Sequence, residues 1–412
     1  MQLPRMCVTT GRLAIMASEV AGATVREAGT RPWSLPPPRT LRSLALYLAV
    51  IAVGAAVLGW VGASLAAPVT SYQALLHEVL PSDGNAPPSA ETTVSANAHG
   101  LALSSAVAVS DEVQVEESRT WLLDQMRHGG WGVAWEIDAF GDGSITAPNT
   151  PFAASTAIAV DGLLDAGITE AEAAEIADML IVWADEAWTD TGDAGYYWYS
   201  LAEHDSLFAP SSASMLAGVT ARMLDLHPEA FTAAERRVLA DNIDATLRRL
   251  DETQRDMVWR FSPRQRIPND LRQHVHVLWG AERARDAGFS VPWTRSEAIE
   301  AIERYRYRTR LSLWPADAEL TQDMRRRLVS QYLTAGVGLA EAFTTYWGGP
   351  DYSSDLRLAL ASSPGEPIYK AYALLAVALN ADPADEPPAA GAHPAPGDVA
   401  RSGGSDLRDR GS

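Results

Sequence analysis

Trp259 to Gly288 reads WRFSPRQRIPNDLRQHVHVLWGAERARDAG, and the fold turns on how this stretch divides. An aromatic, strand-like opening gives way to a charged loop. Pro268 follows, and then a segment too apolar and too rich in small residues to face water all round. Proline suits a helix start, because its φ is already helical and its missing N–H would have no partner there. The unit recurs upstream as WEIDAFGDGSITAPNTPFAASTAIAVDGLLDAG from Trp135 and as YYWYSLAEHDSLFAPSSASMLAGVTARMLDL from Tyr196. The helix-opening prolines are Pro151, Pro210 and Pro268, at steps of 59 and 58 residues. A more divergent copy carries Trp347 and Pro367, and QYLTAGVGLAEAFTTYW from Gln331 reads as a further apolar helix without its proline.

Between these apolar helices lies a second type. Thr169-x-x-Glu172, Thr232-x-x-Glu235 and Thr294-x-x-Glu297 are capping boxes, in which the threonine takes an orphan backbone N–H and the glutamate reaches back. The helices they open carry charge along one side, as outer helices do, whereas helices apolar on most faces are buried. Another charged helix starts at Asp111. The sequence therefore predicts an all-α domain over 111–380, with inner helices near 151, 210, 268, 331 and 367.

Alternating buried and exposed helices in hairpins of about 60 residues, with the phrase GGWGVAWEID followed by TPFAASTAIAVDGLLDAG, resemble the α/α-toroid superfamily. The resemblance implies an incomplete barrel of helical hairpins. Members include glucuronyl C5-epimerases, polysaccharide lyases, glycoside hydrolases and, more weakly similar, terpene cyclases. An open α-solenoid is the competing architecture.

The ends differ from the middle. Residues 1–42 are Arg- and Pro-rich and read as a disordered cytoplasmic tail. Leu44 to Ala67 is an uncharged run of 24 residues, within a segment 43–68 expected to be a transmembrane helix. At about 1.5 Å per residue it crosses a ~30 Å hydrocarbon core with some tilt. Basic residues on its N-terminal side put that side in the cytoplasm and the main domain outside. Ser64-Leu65-Ala66 also resembles a cleavage site, so anchor and cleaved signal both stand. Residues 69–110 read as a linker and 381–412 as a disordered tail.

The net charge of −19 argues against a nucleic-acid partner. The single cysteine, Cys7, precedes the apolar run, which rules out disulfides and zinc–thiolate sites beyond it. No phosphate-binding glycine loop, Gly-x-Ser-x-Gly elbow or His-Glu-x-x-His occurs, and no cofactor or metal is expected.

In a ring of hairpins, the residues just before each inner helix meet at one rim. Those segments supply Trp135, Trp198, Arg260, Asp270, Arg272 and Lys370 as candidate substrate-binding residues. Aromatic faces stack on sugar rings, and Arg pairs with uronic carboxylates. Glu136 and Asp138 are candidates for an acid/base pair. Tyr197, Tyr199 and His274 are candidates for proton transfer beside a neutralised carboxylate. His274 sits four residues after Asp270, on the same helical face, and His276 points elsewhere. The first expectation is a membrane-anchored extracytoplasmic protein that binds and modifies a polysaccharide as an epimerase, lyase or hydrolase. The alternatives are a non-catalytic glycan- or protein-binding module in envelope polysaccharide export or assembly, and a terpene cyclase-like enzyme. A rim plugged by its own aromatics would favour the non-catalytic module.

Overall fold

The structure, a computed structural model, describes residues 71–80, 95–140, 142–262, 270–308, 322–362 and 367–381. The chain divides into two units, 1–66 and 67–412, and every described residue belongs to the second. The apolar run 44–67, the tail 1–42 and the residues from 382 onward lie outside the described residues. Among the described residues, no helix is long and apolar enough to cross a membrane.

The described fold is all-α apart from one short ribbon. Its helices are α1 (Tyr72–Val79), α2 (Ala96–Val109), α3 (Glu112–Gln125), α4 (Ala153–Ala166), α5 (Glu170–Glu186) and α6 (Pro210–Leu226). They continue with α7 (Ala233–Thr253), α8 (Leu271–Asp286), α9 (Arg295–Arg308), α10 (Gln322–Trp347), α11 (Ser353–Ser362) and α12 (Pro367–Leu379). Strands β1 (Trp188–Asp190) and β2 (Gly195–Tyr197) pair antiparallel, with Trp188 opposite Tyr197.

The expected capping boxes open α5 and α7, and Thr294 with Glu297 makes the same reciprocal bonds at α9. A fourth box, Asp270 with Gln273, opens α8. Pro268 lies outside the described residues, and the first helical residue of α8 is Leu271. The helix expected near 331 belongs to one long helix that begins at Gln322.

Residues 69–110 were expected to be linker, but they contain α1 and α2. Helix α2, ANAHGLALSSAVAV, is buried along most of its length. Its alanines and serines looked like linker composition. They are instead the small residues that let a helix sit against neighbours on several sides, and Ser95 caps its start.

The even-numbered helices pack in succession: α2 on α4, α4 on α6, α6 on α8, α8 on α10 and α10 on α12. Helix α12 in turn packs on α2. The odd-numbered helices lie against them: α3 on α2 and α4, α9 on α8 and α10, α11 on α10 and α12, and α1 on α12 and α2. Glycines set two of the closest crossings. A Cβ on Gly162 would stand 2.5 Å from the carbonyl oxygen of Gly100, and one on Gly280 would stand 2.1 Å from that of Ser214.

Tryptophans close the outer helices. Trp131 Nε1 donates to the Leu122 carbonyl of α3, and Trp259 Nε1 donates to the Leu250 carbonyl of α7, each at 2.9 Å across nine residues. Both rings are fully buried, so this repeated aromatic position caps the helix ends it follows. The C-terminal halves of the even helices share a buried ionic cluster. Arg222 pairs with Asp161 and, at 2.9 Å, with Asp165; Arg283 reaches Asp161 at 3.2 Å. Ser104 and the Trp279 indole donate to Asp165 and Asp161 respectively. Burial pushes the Asp161 carboxyl up, but Arg283 and Arg222 outweigh it and hold it below its ordinary value. Burial and then the charge of Asp161 push Asp165 above its own.

Candidate functional site

The N-terminal turns of α2, α4, α6, α8 and α12 line a cavity of about 140 Å³. Helix α2 contributes Asn97, α4 Ser155, α6 Ser211 and Ser212, α8 Arg272, Gln273 and His276, and α12 Tyr372. Tyr199, Phe152 and Phe261 complete the wall. First-turn backbone N–H groups have no intrahelical partner and favour anions. The N-caps of α4 and α6 are Phe152 and Ala209, and neither helix has a side-chain cap. An acidic group entering the cavity thus meets helix N-termini as well as Arg272.

The capping box fixes what α8 presents. Asp270 is committed to the Gln273 amide at 2.8 Å, and burial pushes its carboxyl up against the pull of Arg272. With Leu271 as the first helical residue, Arg272 and His276 lie one turn apart on the cavity side. Arg272 is half-buried, 3.8 Å from Asp270, with its guanidinium 5.8 Å from the Tyr369 ring and 6.0 Å from that of Tyr372. Burial raises the Tyr372 phenol, against the opposing charge of Arg272. His276 is 4% exposed, and its Nε2 has no hydrogen-bond partner. Burial, then Arg272, hold His276 well below the usual imidazole range, so it is neutral.

This reverses the expected assignment of the two histidines. His274 faces away from the cavity, stacked 4.3 Å from Tyr305 and 5.6 Å from Trp259. Burial and Arg304 lower it to about 3. It is a core residue between layers. Counting from Asp270 put His274 on the chosen face; counting from Arg272 would have found His276.

Tyr199 is on the cavity wall as expected. Its ring is 5.0 Å from Phe140 and 5.4 Å from Phe152, and its amide donates to the Asp205 carbonyl at 3.2 Å. The Asp205 carboxylate pins this loop by accepting from Ser200 at 2.6 Å and Thr146 at 2.7 Å. Tyr197, the last residue of β2, is buried in the core beside Trp188, and burial raises its phenol. It is not placed to touch a substrate.

The remaining candidates disperse. Glu136 is exposed. Asp138 is exposed too, and its carboxylate accepts the Asp142 and Gly143 amides at 3.1 and 2.9 Å, closing a turn. Neither lines the cavity, so no acid/base carboxylate pair is assembled there. Trp135 lines a separate recess of about 60 Å³. Trp198 donates to Thr189 at 2.8 Å beside the ribbon. Lys370 is paired with Glu78, tying α12 to α1. Arg260 is exposed in a groove beyond the cavity wall. Among the described residues, no three His, Cys, Asp or Glu side chains converge as a metal site would require.

Comparison with protein-family models, with curated proteins and with solved structures finds no match.

Proposed function

We propose that this protein is an α/α-toroid that binds an acidic polysaccharide at the rim formed by its inner-helix N-termini and moves a proton beside a sugar carboxylate. The unbroken circuit of contacts from α2 to α12 and back to α2 supports the toroid. One observation carries the activity: Arg272 and His276 share one face of α8, with Tyr372 and Tyr199 on the same cavity. In this reading Arg272 and the helix N-termini neutralise the carboxylate of a uronic acid, which acidifies the adjacent C–H. Neutral His276 takes that proton once the bound carboxylate offsets Arg272, whose charge helps to hold its proton affinity down, and a tyrosine hydroxyl supplies one to the opposite face or to the leaving oxygen, as in an epimerase or lyase. Hydrolysis by paired carboxylates has less support, because Glu136 and Asp138 lie away from the cavity. An isoprenoid cyclase has least, since the next space down the barrel is only about 20 Å³. Residues 44–67 anchor the protein to a membrane in this proposal, with the domain on the extracytoplasmic side.

A non-catalytic glycan-binding module is the second reading. Phe140, Phe152, Tyr199 and Phe261 crowd the rim, and 140 Å³ falls short of the ~300 Å³ at which ligand pockets usually begin.

Calorimetry with uronate-containing and neutral oligosaccharides of equal length tests binding. Only the acidic ligand should bind, and Arg272→Gln should weaken it at least tenfold, as expected when a charge-assisted hydrogen bond is lost. Equal affinity for neutral and acidic ligands would sink the proposal. Uptake of deuterium from solvent at the sugar C5 separates the two readings, because only proton transfer produces it.

A further inference from the structure

A larger space than the cavity at the inner rim lies beside it. It is a groove of about 540 Å³ between the end of α7, the start of α6 and the segment 254–262. That volume lies within the usual range for ligand sites. Three arginines line it, Arg249, Arg255 and Arg260, against one glutamate, Glu252. Such a basic concentration is unexpected on a chain of net charge −19.

Two of the three arginines are not consumed by internal pairing. Arg249 Nη1 meets Glu252 at 3.1 Å and the guanidinium lies 5.7 Å from the Phe208 ring, which orients it. Its Nε is buried and has no hydrogen-bond partner. Arg255 and Arg260 are exposed, and no side chain among the described residues pairs with either. Exposed guanidinium forks without an internal partner are suited to an oxyanion ligand that brings its own acceptors.

The groove and the cavity share a wall. Arg260 and Ser262 face the groove, while Phe261, between them, faces the cavity. Alternation along an extended segment puts successive side chains on opposite sides, so one short strand of chain separates the two spaces.

We propose that this groove is a second anion subsite, which takes a carboxylate of the same acidic polysaccharide a few sugars along from the unit held by Arg272. The inference rests on the function proposed above and adds polymer length as a determinant of recognition. A single uronic acid reaches only the cavity; a longer chain crosses the Arg260–Ser262 wall and engages Arg249, Arg255 and Arg260 as well.

The test compares sodium glucuronate with a glucuronate oligomer of about six sugars, on the wild-type chain and on the double variant Arg255→Gln/Arg260→Gln. Both positions are exposed, so a thermal melt should confirm an unchanged fold. The expected result is that the variant loses about tenfold or more in oligomer affinity and leaves glucuronate binding as it was. Raising the salt should weaken the oligomer more than the monomer, because exposed charges are screened. Undiminished oligomer binding in the variant would overturn the groove as a subsite while leaving the rim proposal standing. Failure of both ligands to bind the wild-type chain would overturn the two together.

Discussion

Replacing Gly280 by alanine sets two opposed effects against each other, and the structure decides the sign. Gly280 lies inside α8, where alanine is favoured over glycine by about 1 kcal/mol. On propensity alone the substitution stabilises. A Cβ at this position, however, would stand 2.1 Å from the Ser214 oxygen and 2.6 Å from the Met215 nitrogen, both backbone atoms of α6. No rotamer change relieves that contact, so α6 and α8 must separate by roughly 1 Å, and overpacking of this kind costs about 1–3 kcal/mol or more. Separation also strains the Ser214 Oγ–Val277 carbonyl hydrogen bond of 2.6 Å at the same crossing, whose net contribution is about 1 kcal/mol. The balance is a destabilisation of about 1–3 kcal/mol, or roughly 2–5 °C in Tm for a domain of this size. Urea denaturation should show a lower midpoint at an unchanged slope, which marks a loss of stability rather than a change in the unfolded state. A midpoint equal to or above the wild-type value would mean that α6 and α8 do not cross there, and the tight packing of the even helices would be refuted.

Two further predictions concern charge. His99 and His274 are lowered to about 3 and His276 well below its usual value, in each case first by burial. Between about pH 3 and 6.5 the unfolded chain then binds more protons than the folded one, so stability rises with pH across that window and is lost on acidification. Going from pH 7 to 5 should cost about 2 kcal/mol per buried histidine, and His274→Phe should remove one share of that slope; a flat stability curve from pH 7 to 5 contradicts their burial as neutral rings. In the ionic cluster, Asp161→Asn leaves Arg222 and Arg283 under-compensated and should cost about 3–5 kcal/mol by urea denaturation. Asp165→Asn should cost less, because burial and Asp161 already favour its neutral form, and an equal cost would reverse the assignment of charge within the pair.

The helical hairpins were legible in the sequence because their signals are local. The capping boxes at Thr169, Thr232 and Thr294 specify a start and an outward face together. Helix α2 was missed because ANAHGLALSSAVAV has no charge, no proline and no alternation, and small residues serve a linker and a crowded interior equally. At the site, the location was readable and the residues mostly were not. Placing inner-helix starts at one rim brought out Arg272 and Tyr199. The choice between His274 and His276 needed the helix phase, which the Asp270–Gln273 box sets within one residue. Neighbouring positions at Tyr197 and Tyr199 show the same limit, since one faces the core and the other the cavity. Trp135 and Trp198 stood out as sugar platforms, whereas Trp131 and Trp259 cap helices, a pairing across nine residues that composition does not reveal.

A structure determined with a uronate oligosaccharide bound would test the central claim most directly. The account predicts a carboxylate between the Arg272 guanidinium and the first turns of α4 and α6, with the sugar ring against His276. Density for the sugar on any other face, with the rim empty at saturating ligand, would contradict it.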